Sequence, residues 1–355
     1  MQLAIKRGCV ALEIFISSKS MKIAKLLLVF FCVFGVFVQA QSATELQDRL
    51  AISTAAKSAF MRDSFAQLEE TARAYRIEKS RTSSGLWKLT LFYSGLQDAL
   101  FEIERAKDVE DSFRQIEEKL SAWAAKYPNS PTPHIVLSMA HIDHAWAIRG
   151  SGYSNTVKPE AWGGFNKYIA LARQNLESNK AIAAVDPRWY ETMMIVARGG
   201  NWGRAEFDQL LAEALDKEPA FYQTYFRALE YLSPKWHGGR EDIEAFARDA
   251  VRRTVKTEGQ GMYARIYWYG SQSEFRNKIF SDSLAAWPAM RAGFDDVIAK
   301  YPDSWNLNNY AKFACLAKDK AKLQELLKQV KPALVLAAWD PHSEWQRCSA
   351  WAGQP

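Results

Sequence analysis

Cysteine and histidine are scarce in this chain, at four and five of 355 residues, and neither is spaced as a metal site usually requires. Paired C-x-x-C and H-E-x-x-H motifs are absent, which excludes the common zinc-ribbon and zincin arrangements. The P-loop, the dinucleotide fingerprint and the G-x-S-x-G nucleophile elbow are missing as well, so no nucleotide cofactor and no serine hydrolase is indicated. No cofactor of any kind is implied. The longest apolar run, Leu26 to Val38, has 13 residues, fewer than the ~20 that a membrane-spanning helix needs. No stretch alternates apolar and polar residues with period two for long enough to predict a strand.

Charge of one sign is also lacking once the first residues are set aside. The stretch MKIAKLLLVFFCVFGVFVQA, from Met21, has a basic start (Lys22, Lys25), an apolar segment and a small-residue end at Val38-Gln39-Ala40. That order predicts a signal peptide within residues 1–40, cut after Ala40, with translation starting at Met21. An uncleaved anchor is the alternative; a lipoprotein is disfavoured because Cys32 lies inside the apolar segment. Five of the 46 basic residues and one of the 40 acidic ones fall within 1–40, leaving 41 against 39, so the net charge drops from +6 to +2. No Lys/Arg stripe remains, and a nucleic-acid partner is not expected. The predicted location is periplasmic or secreted, with no stable membrane span after cleavage. Two cysteines remain, Cys315 and Cys348. They either form one disulfide in an oxidising compartment or serve as two small buried hydrophobes.

What is present is helical periodicity. In the segment 111–126, Phe113, Ile116, Leu120 and Trp123 form one stripe, and the pattern stops at Lys126-Tyr127-Pro128-Asn129-Ser130. The same design returns 174 residues later at Lys300-Tyr301-Pro302-Asp303-Ser304. Two further acid–proline pairs, Asp186-Pro187 and Glu218-Pro219, lie 32 residues apart and each predicts a helix start. Pro133 is expected to begin a helix ending at Gly150, and the segment 158–184 reads as one long helical region. RTSSG (81–85) reads as a loop by composition. A period near ~34 residues with two helices per unit predicts an all-α fold, a tetratricopeptide-like solenoid or stacked helical hairpins, over residues 41–355. The tail 332–355 carries Trp339, Trp345 and Trp351 and is expected to fold back over the last apolar face.

Several clusters are candidates for chemistry. His141 and His144 share a helix with Asp143 between them and are candidates for metal, although no further ligand accompanies them. Trp146, Arg149 and Tyr153 surround two glycines, where the arginine either caps the helix end or clamps a carboxylate. Tryptophan–glycine corners are read at Trp162-Gly163-Gly164, around Trp202 and around Trp236; with Tyr263, Tyr267 and Tyr269 these could form an aromatic platform. The adjacent carboxylates read as solvated helix faces.

Three segments carry a family resemblance: F-x-x-L-E-x-x-A-x-x-Y-R with S-G-x-W-K-L (65–89), W-x-x-R-G-S-G-Y (146–153) with Val157, and P-K-W-H-G-G-x-E-x-x-x-x-F-A-R (234–248). Together they resemble a bacterial domain-of-unknown-function family with tetratricopeptide-like helices, over roughly residues 60–317. His237 interrupts the expected tryptophan–glycine–glycine order, so that corner is expected to differ in shape. The resemblance implies an all-helical fold and no catalytic residues. The function expected is that of an exported scaffold binding a protein or peptide of the cell envelope, with Trp146, Arg149, Tyr153, Trp202 and Trp236 as contacts. A cell-envelope hydrolase with a His/carboxylate site in the concave groove is the alternative, and a structural part of an envelope assembly a third reading.

Overall fold

Proline and short polar caps decide where the helices of this chain begin and end. The computed structural model describes residues 44–104, 108–150, 152, 154–339 and 341–353, all within a unit spanning Ala43–Pro355. The predicted signal segment 1–40 and Tyr153 lie outside the described residues. The chain runs through α1 (Thr44–Met61), α2 (Phe65–Glu78), α3 (Lys88–Glu104), α4 (Val109–Lys126), α5 (Pro131–Arg149) and α6 (Pro159–Ser178). It continues with a short α7 (Lys180–Ala183), then α8 (Pro187–Gly199), α9 (Arg204–Lys217), α10 (Tyr222–Tyr231), α11 (Arg240–Glu258) and α12 (Gly261–Ser273). After a second short helix, α13 (Ile279–Asp282), come α14 (Trp287–Lys300), α15 (Ser304–Leu316), α16 (Lys320–Val330) and α17 (Ser343–Gly353). Among the described residues no strand forms; Arg81 and Trp87 make one isolated bridge. The fold is all-α, built of stacked helical hairpins.

The two K-Y-P segments adopt the same turn. Tyr127 has φ −129° and ψ 68°, Tyr301 has φ −131° and ψ 75°, and each N–H closes the preceding helix on the carbonyl four residues back. A residue before proline is barred from the helical region, which stops both helices there. Glu218 has φ −142° and ψ 77°, so Lys217-Glu218-Pro219 is a third copy of this terminator. The expected helix start at Pro219 is therefore corrected: α10 opens only at Tyr222. Asp186, in contrast, does cap α8, its carboxylate accepting from Arg188 N at 2.9 Å. α5 begins at Pro131 instead of Pro133 because Ser130 Oγ accepts from Thr132 N at 3.1 Å. The region 158–184 breaks at Asn179. Trp162-Gly163-Gly164 lies inside α6 and makes no corner.

Successive hairpins stack through their first helices, so that α3, α5, α8, α10 and α12 form a continuous row. The core between rows is aromatic. Trp123, Trp189 and Trp339 are fully buried, and each indole N–H has an acceptor: Glu69 Oε1, Leu176 O and Asn308 Oδ1. Trp339 belongs to the C-terminal segment, whose α17 packs on α15 and α16. The disulfide Cys315–Cys348 joins α15 to α17 with a Cα–Cα separation of 5.8 Å.

The array turns far enough for the loop between α2 and α3 to meet its last hairpins. Arg81 Nη2 donates to Ala220 O at 3.1 Å, Ser83 Oγ to Asp303 Oδ2 at 2.7 Å, and Asn306 Nδ2 to Ser84 O at 3.1 Å. These contacts span 139, 220 and 222 residues of sequence. Glu45 at the start of α1 receives Thr82 Oγ1, Ser83 Oγ and the Ser84 N–H, which fixes the loop from behind. Gly85 has φ +90°, and a Cβ there would meet the Tyr301 ring at 2.8 Å, so both conformation and space demand glycine. The docked loop also explains the late start of α10. Phe221 is pinned edge-on against Trp87 at 5.4 Å while Arg81 holds the Ala220 carbonyl.

Candidate functional site

The corner around Arg149 is a ladder of alternating cations and rings. The Arg149 guanidinium lies 4.9 Å from the Trp146 ring and 5.1 Å from the Trp162 ring. Trp146 meets Trp236 edge-on at 6.4 Å, and Arg198 covers Trp236 at 5.0 Å. The structure thus brings Trp146, Arg149 and Trp236 together, although Trp236 comes from the α10–α11 turn. Arg149 Nη1 donates to the carbonyls of Gly150 and Gly152 at 3.0 and 3.1 Å, satisfying acceptors left over at the end of α5. Trp202 does not join them. It sits in the α8–α9 turn with the Arg173 guanidinium 4.2 Å above its ring.

The histidines face the outer helices. His144 is stacked on Phe113 at 3.7 Å and against Tyr168 at 3.8 Å, with Nε2 3.2 Å from Glu110. Burial lowers both imidazoles, His141 to about 4, with His144 adding to the effect there. Asp143 points to the other side of α5 and accepts from Gln97 on α3. Among the described residues, no three His, Cys, Asp or Glu side chains converge as a metal site. Of the tyrosines, Tyr263 and Tyr267 are buried and both donate to Glu244.

Asp143 gives a pH expectation. Burial, and secondarily the Glu104 carboxylate, push its carboxyl from 3.8 up to about 8. Folded Asp143 therefore keeps a proton that the unfolded chain loses near pH 4, and stability falls as pH rises from there through about 8. His141 works in the opposite sense: held near 4 against an ordinary 6.5, it adds stability as pH rises to 6.5. Above pH 6.5 only the Asp143 contribution is left of the two. Asp143→Asn is expected to flatten the decline in melting temperature between pH 6.5 and 8; an identical slope in both proteins contradicts this.

A polar chain crosses the row of first helices. Glu191 on α8 binds Arg188 and Arg227 at 2.8 and 3.1 Å, Arg227 binds Glu230 at 2.8 Å, and Glu230 also holds Arg198 and the Tyr269 hydroxyl. It leads from the Trp236 ladder to a deep notch at the docked loop. The notch, a cavity of about 150 Å³, is floored by Arg49, Ser84, Arg265 and Asn306 and walled by Tyr222, Phe226, Tyr269 and others. Trp268, Gln272 and Trp305 line both the notch and a larger groove of about 800 Å³ between α12 and α15. Phe275, Phe313 and Asn309 continue that groove, with Arg276 and Lys278 exposed at its rim.

Sequence reasoning singled out none of Arg49, Ser84, Arg265 or Asn306 as site residues. The available signal was polar residues in apolar surroundings: Arg265 inside MYARIYWY, and three asparagines in SWNLNNYAKFA. Ser84 and Gly85 do belong to the S-G-x-W-K-L segment of the family resemblance. The chain matches no protein-family model, no curated protein sequence and no solved structure. Among the described residues, no helix is long and apolar enough to cross a membrane.

Proposed function

We propose that this chain is an exported helical-repeat protein that binds a peptide or protein segment of the cell envelope in the groove between α12 and α15. We propose with it membership of the bacterial family of tetratricopeptide-like proteins that its motifs resemble. The observation that carries the reading is the groove itself. The indoles of Trp268 and Trp305 and the phenyl ring of Phe275 line it together with the Gln272 amide and the charged Glu274, Arg276 and Lys278, a combination suited to apolar side chains and to polar groups of a peptide. Helical hairpin arrays present such surfaces to extended ligands.

Amide hydrogen exchange of the full chain, with and without a mixed pool of unstructured hexapeptides, tests it. Slowed exchange in segments 268–278 and 305–313 is the expected result; slowing confined to the Trp146–Trp236 ladder, or none at all, overturns it.

The hydrolase reading has less behind it: burial raises the Asp143 carboxyl, but Asp143 lines neither the notch nor the groove, and it lies across α5 from His144. Release of fragments from cell-wall material, abolished by Asp143→Asn, would favour that alternative.

A further inference from the structure

Two residues that line the notch each carry a buried polar atom without a partner. Arg265 is only 7% exposed, yet its Nε bonds to nothing, and among the described residues no carboxylate stands within ion-pair distance of its guanidinium. Its charge is met by the Ser84 carbonyl at 3.1 Å and by the Tyr222 and Tyr301 ring faces at 4.5 and 5.5 Å. A guanidinium that deep ordinarily has an anionic partner, because its desolvation is otherwise uncompensated. Asn306 is fully buried. Its amide nitrogen donates to Ser84 O and Tyr301 O, which fixes the side chain's orientation and leaves Oδ1 without a donor. The partly accessible polar groups that the cavity offers are therefore cationic, and the buried Asn306 amide holds the Ser84 carbonyl beneath them.

Arg49 completes it from α1. Its guanidinium rests 5.0 Å from the Trp305 ring, and Nη2 donates to Ser84 Oγ at 3.0 Å. Its own acid, Glu45 at 2.5 Å, is already shared among the Thr82, Ser83 and Ser84 donors. Phe226, Trp268 and Trp305 make the walls apolar. A volume of about 150 Å³ takes roughly five waters or one benzene-sized group. A carboxylate with one modest apolar side chain matches that space.

We infer that the notch receives the C-terminal residue of a peptide, its α-carboxylate on Arg265 and Arg49 and an apolar side chain between Phe226, Trp268 and Trp305. The inference rests on the peptide-binding reading, since the remainder of the chain leaves through the α12–α15 groove. A free amino acid carries the same carboxylate, so the source is decided by experiment. Trp268, Gln272 and Trp305 line both the notch and the groove, so the two cavities adjoin, which favours the longer ligand.

The test uses fluorescein-labelled pentaalanyl peptides extended by leucine, valine or phenylalanine, each as free acid and as C-terminal amide, with N-acetyl-leucine as competitor. Anisotropy titration of the full chain is expected to show the acids binding about tenfold or more tightly than the amides. Arg49→Gln is expected to weaken the acids about tenfold more than the amides. Arg265→Gln should abolish the difference between acid and amide. If that variant does not fold, as judged by circular dichroism, the acid–amide comparison on the native chain and the Arg49→Gln titration still decide. Equal affinity for acid and amide overturns the notch assignment but leaves peptide binding in the groove standing. Binding of N-acetyl-leucine without binding of any peptide overturns the peptide reading and shows a free amino-acid site in its place. Absence of binding by every probe overturns both.

Discussion

Glu191→Ala is expected to lower stability by about 3–5 kcal/mol, the size usual for stripping one partner from a buried ion pair. Glu191 is 0% exposed and holds Arg188 at 2.8 Å and Arg227 at 3.1 Å. Without it, Arg188 loses the one carboxylate within ion-pair distance among the described residues, and its Nε is already without a partner. Arg227 keeps Glu230 at 2.8 Å, which itself also serves Arg198 and Tyr269. Chemical denaturation of the purified chain measures the loss. A cost under about 1 kcal/mol, the range of exposed pairs, would show that water reaches this network. Replacing Glu191 and Arg188 together by apolar residues of similar volume is expected to restore much of the stability, because no lone charge then stays buried.

The second large effect lies where α1 crosses α3. A Cβ on Gly95 would stand 2.1 Å from Ser53 O and 2.8 Å from Ser53 C, both backbone atoms that no rotamer change can move. Gly95→Ala therefore forces the two helices apart. The expected cost is about 1–3 kcal/mol, as for overpacking elsewhere, and more for Gly95→Val. Because α1 also carries Glu45 and Arg49, the same substitution is expected to loosen the 81–87 loop and to weaken ligands of the notch. Thermal unfolding of Gly95→Ala with an unchanged melting temperature would exclude this crossing geometry.

Much of the helical skeleton is legible in the sequence because its punctuation is local. The K-Y-P terminators act through a clash between proline and the residue before it, which needs no tertiary partner. Asp186-Pro187 is equally local: a short carboxylate reaches the N–H two residues on. Glu218-Pro219 looks like the same signal and is the opposite one. The Glu218 carboxylate goes instead to Lys79, 2.6 Å away on the far side of the docked loop, and the helix before it ends. The delay of α10 to Tyr222, in contrast, depends on Arg81, which holds the Ala220 carbonyl from 139 positions earlier, and no local window contains both. The same applies to the notch. Its floor combines Arg49, Ser84, Arg265 and Asn306, and each of them taken singly reads as an ordinary helix or loop residue. Trp162-Gly163-Gly164 shows the converse limit, since composition suggested a turn where the helix simply continues.

Closure of the array on the loop between α2 and α3 changes how such a chain comes into being. An open repeat protein can nucleate anywhere and extend unit by unit, each hairpin leaning only on its neighbour. Here the segment 81–87 is made early and finds its last partners, Asp303 and Asn306, only after 220 and 222 further residues. At about 5–20 residues per second, the ribosome needs roughly 10–45 s to supply them. For that interval the polar loop after the first hairpin faces solvent and the notch does not exist. The binding site is therefore among the last parts of the molecule to form, and a chain cut back past Arg49 at one end or past Asn306 at the other loses it.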